Sequence, residues 1–187
     1  MIKRICDILI ALITINIFII PCVFIWLAVK LTSSGPGLYW SQRVGRNGLI
    51  FMMPKFRTML TETPELGTDE ILSPTKYITP IGSFLRNTSL DEIPQILTVL
   101  IGKMSIVGPR PALRNQHSLI AKRKKLGVDI LRPGITGWAQ INGRDEITLS
   151  KKVYLDQQYL RRQSFMFDLK IIIKTIKLVL TAKNVIH

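Results

Sequence analysis

Residues 5–29 read ICDILIALITINIFIIPCVFIWLAV, and Asp7 is the only charge among them. A straight helix of that length reaches about 37 Å at 1.5 Å per residue, more than the roughly 30 Å hydrocarbon core of a bilayer. Three arrangements compete. A cleaved signal peptide agrees with Lys3 and Arg4 ahead of the apolar run, but no small-x-small site follows it. A single span agrees with length and composition. A helix that enters the bilayer, breaks and returns agrees with Pro21, which removes a backbone donor and crowds the preceding turn, and with the polar Asn16 nearby. Cations flank both ends (Lys3, Arg4, Lys30). A full span with the main domain in the cytoplasm would leave Lys3 and Arg4 outside, against the positive-inside tendency. Re-entrance with its membrane break at Pro21 is the favoured expectation, ahead of the single span.

The rest of the 187-residue chain suits one domain, so the expected division is a membrane-inserted helix at 1–31 and a cytoplasmic catalytic domain at 32–187. Lys and Arg number 26 against 12 Asp and Glu, a formal net charge of +14 that calls for an anionic partner: nucleic acid, an acidic bilayer or a phosphorylated substrate. Cys6 and Cys22 both lie in the apolar run, which excludes a disulfide scaffold. His117 and His187 are too few for a histidine metal site, so any metal would be a hard ion on oxygen ligands, such as Mg²⁺.

Beyond the apolar run, the turn cluster at 32–37 is followed by two alternating stretches, 38–44 and 49–56, joined across Gly45-Arg46-Asn47-Gly48 as a hairpin. Pro54 would confine the second strand to a sheet edge. Residues 61–80 read as a surface loop and 80–86 as a short helix. Residues 93–101 read as a helix stopped by Gly102, and 111–126 as a helix ending in Lys122-Arg123-Lys124-Lys125. Helices are also expected over 149–162 and 165–181. The last carries apolar residues on one face and Lys170, Lys174 and Lys177 on another, so it suits either a bilayer surface or the protein's own core. The expected class is α+β: a re-entrant or single-span membrane helix, then a mainly helical domain with a small β-hairpin and interfacial amphipathic helices.

Chemistry concentrates in Ser89-Leu90-Asp91-Glu92-Ile93-Pro94-Gln95. Ser89 and Glu92 have the spacing of a capping box. Pro94, however, belongs in a first turn, which starts the helix nearer Asp91 and puts two carboxylates at its positive end. Capping and function stand level on these residues alone. In Gly108-Pro109-Arg110-Pro111 two prolines limit the directions open to the Arg110 guanidinium, a fork suited to phosphate, although a solvated arginine fits the same turn. Alternation along Lys55-Phe56-Arg57 would aim Lys55 and Arg57 at one face. Arg86 is close enough in sequence to reach a phosphate beside Asp91. The glycine-rich stretch from Pro133 to Trp138, with Asn142-Gly143-Arg144, could bind a nucleotide sugar. The Lys122–Lys125 run reads as a solvated face, one that could lie over anionic headgroups.

Taken in order, the apolar start with an internal proline, Lys-Phe-Arg-Thr-Met, Ser-Leu-Asp-Glu-Ile-Pro-Gln, Gly-Pro-Arg-Pro and Arg-Pro-Gly-Ile-Thr-Gly-Trp-Ala-Gln-Ile-Asn-Gly-Arg resemble the bacterial sugar transferases, the monotopic phosphoglycosyl transferases, in their minimal form. The resemblance implies transfer of a sugar-1-phosphate from a UDP-sugar to undecaprenyl or another polyprenyl phosphate, with release of UMP, at the cytoplasmic face of the bacterial inner membrane. It implies Asp91 as the nucleophile that becomes an aspartyl phosphosugar and Glu92 as the Mg²⁺ ligand. It supplies Lys55, Arg57, Arg86, Arg110, Pro111 and Arg144 as substrate-binding residues and Asp156 and Asp168 as supporting carboxylates. The chain departs from the family at the membrane break, where Ile20 stands in place of the frequent serine before Pro21. A homodimer is compatible with the sequence. The alternative is a non-enzymatic basic module binding anionic lipid or nucleic acid. It leaves Asp91-Glu92 and the arginine turn without a role, and 7% aromatic residues without a stacking pattern argue against nucleic acid.

Overall fold

The computed structural model describes residues 2–64, 74–143 and 147–181. Helix α1 (Ile2–Thr32) is unbroken in its helical assignment, with Pro21 inside it. Its inward positions recur at the helical period: Asp7, Ala11 and Val29 are buried, while Ile10, Ile15, Cys22 and Ile25 pack partly against the domain. Its outward positions, among them Ile13, Ile17, Ile20 and Phe24, stay exposed. A contiguous exposed apolar face of this kind fits a membrane-associated protein. Among the described residues α1 is the one helix long and apolar enough to cross a membrane.

Both ends of α1 are tied to the same domain. Lys3 donates to Asp168 at 2.6 Å and to the Val107 carbonyl at 3.1 Å, and Arg4 donates to the carbonyls of Val99 and Leu100. The buried Asp7 carboxylate accepts from Ser105 Oγ and the Ile106 amide, each at 3.0 Å. At the far end Arg57 donates to the carbonyls of Ser33 and Ser34 and to Ser33 Oγ. Arg57 therefore clasps the chain just past the end of α1. The alternation that would place it beside Lys55 ends at Phe56, the last residue of the strand.

Strands β1 (Leu38–Val44) and β2 (Ile50–Phe56) form the expected hairpin, with Leu38 opposite Phe56 and Val44 opposite Ile50. Its turn needs positive φ at Asn47 (55°) and Gly48 (77°), which is why Asn-Gly stands there. Pro54 does lie on an edge strand, because β2 is the outermost strand of its sheet. After α2 (Gly82–Asn87) comes a six-residue 3-10 turn (Leu90–Gln95), then α3 (Ile96–Leu100) and β3 (Ser105–Val107). The single helix expected over 111–126 is instead strand β4 (Ala112–Leu113) followed by α4 (His117–Lys125). β1 would otherwise carry an open edge, and Ala112 and Leu113 close it opposite Val44 and Arg43.

β5 (Gly134–Thr136) pairs in parallel with β3. A Cβ on Gly108 would run into the backbone at Arg132, and one on Gly134 into Gly108, so only glycine lets these two loops touch. α5 (Leu149–Arg162) and α6 (Phe165–Leu180) are capped by Thr148 and Ser164, whose oxygens accept from the amides of Lys151 and Phe167. α6 packs one face into the core and leaves apolar residues exposed on another. Phe167, Ile171 and Ile172 join a core with Met53, Val99, Met104 and Tyr159, where a fully buried Ile171 contributes about 2–3 kcal/mol. Phe165, Met166, Leu169, Ile173 and Ile176 remain exposed.

Candidate active site

The 3-10 turn at 90–95 packs on β2 and sinks Asp91 to 7% exposure. Ser89 enters it at φ 57° and its side chain caps nothing, so the capping box does not form. Glu92 instead points at cations: its Oε1 accepts from Lys55 Nζ at 2.7 Å and from Arg110 Nη2 at 3.1 Å. Asp91 Oδ2 lies 3.8 Å from Lys55 Nζ, beyond hydrogen-bond reach.

These placements split the two neighbours electrostatically. Burial pushes the Asp91 carboxyl up to about 6; Lys55 opposes the rise, the charge of Glu92 adds to it, and Arg86 and Arg110 also oppose it. Burial acts on Glu92 in the same upward sense. The direct contacts with Lys55 and Arg110 nonetheless hold it well below the usual carboxylate range. One carboxylate is thus fixed as an anion inside an ion-pair cluster. The other is less committed, nearer neutrality, and unencumbered by a donor from Lys55. That is the contrast a carboxylate nucleophile beside an electrostatic partner requires.

The arginine turn is carried from several sides. The Gly108 amide donates to Thr136 O and the Gly134 amide to Pro109 O, each at 2.9 Å. Arg123 Nη1 donates to Arg110 O at 2.8 Å, and Arg43 Nη1 to Pro111 O at 3.3 Å. Pro111 therefore contributes a held carbonyl. Arg123, inside the run that reads as a solvated face, is buried, and its Nε and Nη2 both donate to Asp156 Oδ2 at 2.9 and 2.7 Å. Asp156 braces the turn through Arg123 and makes no contact of its own with Asp91 or Glu92 among the described residues.

The other expected residues divide. Lys55 and Arg110 meet at Glu92, and Arg86 acts on Asp91 through space. Asp168 accepts from Lys3 and from the Tyr159 hydroxyl at 2.7 Å, so it belongs to the foot of α1. Arg144 lies outside the described residues. Trp138 is no free stacking surface: its ring packs 5.0 Å from Phe167 and its Nε1 donates to Gln158. Arg43, Arg123 and Lys152 were missed. Arg43 follows the buried Ser41 by two on the same strand face, a placement that only the fold reveals. Its own burial, then the neighbouring Arg110, lowers Arg43 to about 10.

Asp91, Glu92, Arg110, Arg123 and Lys152 line one groove of about 250 Å³. For a divalent cation, Asp91 and Glu92 supply hard oxygen donors of the right kind. Among the described residues no group of three or more His, Cys, Asp and Glu comes together. A divalent cation held by these two carboxylates would have to complete its shell with substrate phosphate and water.

The sequence profile described as bacterial sugar transferase matches residues 1–182. The chain is 38% identical to the uncharacterized sugar transferase EpsL of Bacillus subtilis over 177 residues, covering 92% of this chain and 86% of that one. It is 39% identical to the UDP-glucose:undecaprenyl-phosphate glucose-1-phosphate transferase of Escherichia coli, covering 94% and 39%. It is 35% identical to the undecaprenyl-phosphate galactose phosphotransferase of Salmonella typhimurium, covering 95% and 40%. The chain thus spans most of the first relative and about two-fifths of the other two.

Proposed function

The chain belongs to the bacterial sugar transferases, and on that premise we propose that it moves a sugar-1-phosphate from a UDP-sugar to a polyprenyl phosphate, releasing UMP. The observation that carries the reading is the split between Asp91 and Glu92 in a cation-lined groove of a protein with an exposed apolar helix. An Asp91 carboxylate oxygen attacks the sugar-bearing phosphorus, the bond from that phosphorus to the bridging oxygen breaks, and UMP leaves. An oxygen of the acceptor phosphate then attacks the same phosphorus and Asp91 departs as carboxylate, giving a polyprenyl diphosphosugar. Lys55 and Arg110 offset charge on the transferring group, and both are already gathered around Glu92. Glu92, with Asp91 beside it, would hold Mg²⁺, which when bound supplies charge neutralisation for the diphosphate.

The same-domain anchoring of both ends of α1 supports re-entrance. A straight 31-residue helix is about 46 Å long, and a full crossing would part Lys3 and Arg4 from Ser33 and Ser34 by the bilayer. Helical structure through Pro21 leaves room for a bend there without a non-helical gap. The catalytic domain then sits on the cytoplasmic face of the inner membrane.

The test is enzyme mixed with UDP-sugar and no acceptor, quenched and examined by mass spectrometry. A sugar-phosphate adduct on Asp91, absent from Asp91→Asn, is the expected result; lipid product formed without any adduct overturns the mechanism. For topology, a cysteine at the exposed Ile2 should react with an impermeant thiol reagent from the cytoplasmic side of inverted vesicles. Reaction from the periplasmic side alone would establish a full span.

A further inference from the structure

Glu92 and Arg110 meet at 3.1 Å, yet they stand on separate pieces of chain, the 3-10 turn at 90–95 and the Gly108–Pro111 turn. Their separation depends on the elements that carry them. α3 runs on from the first turn without a gap, and β3 leads straight into the second.

Both carriers are tied to the first two turns of α1. Arg4 donates from Nη1 to Val99 O and from Nη2 to Leu100 O, the last two carbonyls of α3. Three positions on, along the same face of the helix, Asp7 Oδ1 accepts from Ser105 Oγ and from the Ile106 amide, each at 3.0 Å. β3 and β5 form a two-stranded sheet paired through Ser105 and Val107, and Asp7 takes the amide of the residue between them. Asp7, Ser105 and Ile106 are all buried, where a hydrogen bond is stronger than in water and a missing one is costlier. Asp7 is also the only charge between residues 5 and 29, and both of these bonds go to β3.

We propose that Asp7 is a positioning residue for catalysis: together with Arg4 it sets β3 against α3, and thereby Arg110 against the Asp91–Glu92 pair. This rests on the function proposed above and adds to it a role for the start of α1. Arg123 and Arg43 hold carbonyls of the arginine turn itself, whereas Asp7 holds the strand that feeds it. Arg57 fastens the opposite end of α1, and its side chain donates to Ser33 and Ser34. The carboxylate pair and the arginine are thus in register only while the first two turns of α1 are docked.

The test is the single-turnover rate constant for adduct formation on Asp91 with UDP-sugar alone, a quantity independent of how much of the protein is folded. Asp7→Leu strands the Ile106 amide and should slow it about 10- to 100-fold, the scale of a misplacement approaching 1 Å. Asp7→Asn keeps an acceptor oxygen and should return to within about threefold of the parent. Arg57→Met should leave the constant unchanged. A residue that merely supports the fold would lower the folded fraction in Asp7→Leu and not this constant. A double-mutant cycle reads the route: with Arg110→Gln already present, Asp7→Leu should cost less than about threefold more, because the arginine it positions is gone. Ser105→Ala removes one of the two bonds, threatens folding less, and should show the same pattern at about fivefold. An unchanged constant in Asp7→Leu, or in Ser105→Ala where the first variant does not fold, overturns the positioning role while the adduct leaves the function standing. So does the full loss repeated in the Arg110→Gln background. Absence of the adduct in the parent protein removes both.

Discussion

Replacing Asp91 with asparagine should abolish transfer and stabilise the fold at neutral pH. The carboxyl is buried and its pKa is displaced from 3.8 to about 6, chiefly by desolvation. At about 1.4 kcal/mol per pH unit, holding it ionised in the folded protein costs about 3 kcal/mol. The sign follows from proton binding. Between the unfolded and folded values the native protein binds more protons than the unfolded chain, so the Asp91 contribution is fully present below about pH 4 and lost as pH rises through about 6. An asparagine at this position carries no such penalty. The variant should gain little near pH 4 and about 3 kcal/mol near pH 8. For a chain of this size that is about 6–12 °C in the melting temperature. Thermal unfolding of parent and variant in the same detergent, at several pH values, measures the difference. A gap independent of pH, or one largest in acid, would refute the idea that burial of an anionic nucleophile is what strains this site.

Other outcomes follow from neighbouring contacts. The rate of adduct formation from UDP-sugar alone should fall with pH below about 6, close to tenfold per unit, as the Asp91 nucleophile protonates; a flat profile down to about pH 5 counts against its assignment. Arg123→Met strands the buried Asp156 carboxylate and should cost about 3–5 kcal/mol in denaturant unfolding, most of it recovered by adding Asp156→Leu. Arg57→Met unfastens the end of α1 and should cost about 2–3 kcal/mol and quicken proteolysis around residues 33–37, with kcat of the folded fraction unchanged. A fall in kcat without loss of stability would return Arg57 to the substrate.

The parts that could be read from the chain were those with local causes. The hairpin was legible in its alternation and its Asn-Gly turn, α5 and α6 in their periodicity, and α1 in its unbroken hydrophobicity. The short strands were not. β3, β4 and β5 are two or three residues long and exist because a distant edge needs a partner or because glycines let two loops meet, neither of which any short window reveals. At the site, Asp91, Glu92 and Arg110 announced themselves by an unusual pairing and a rigid turn. Arg123 was concealed in a basic run whose other three members are exposed. Only the position of α5, which presents Asp156 to it, selects that one arginine to turn inward.

The Lys3–Asp168 contact joins residues 165 positions apart. At about 5–20 residues per second of synthesis, Lys3 leaves the ribosome roughly 8–33 seconds before its partner. During that interval the apolar helix is complete while the foot that receives Lys3, built from Asp168, Tyr159 and the Val107 carbonyl, has yet to be made. The Lys3 contact is thus reserved for the last segment, and a nascent chain halted short of α6 holds the start of its first helix through Arg4 and Asp7 alone.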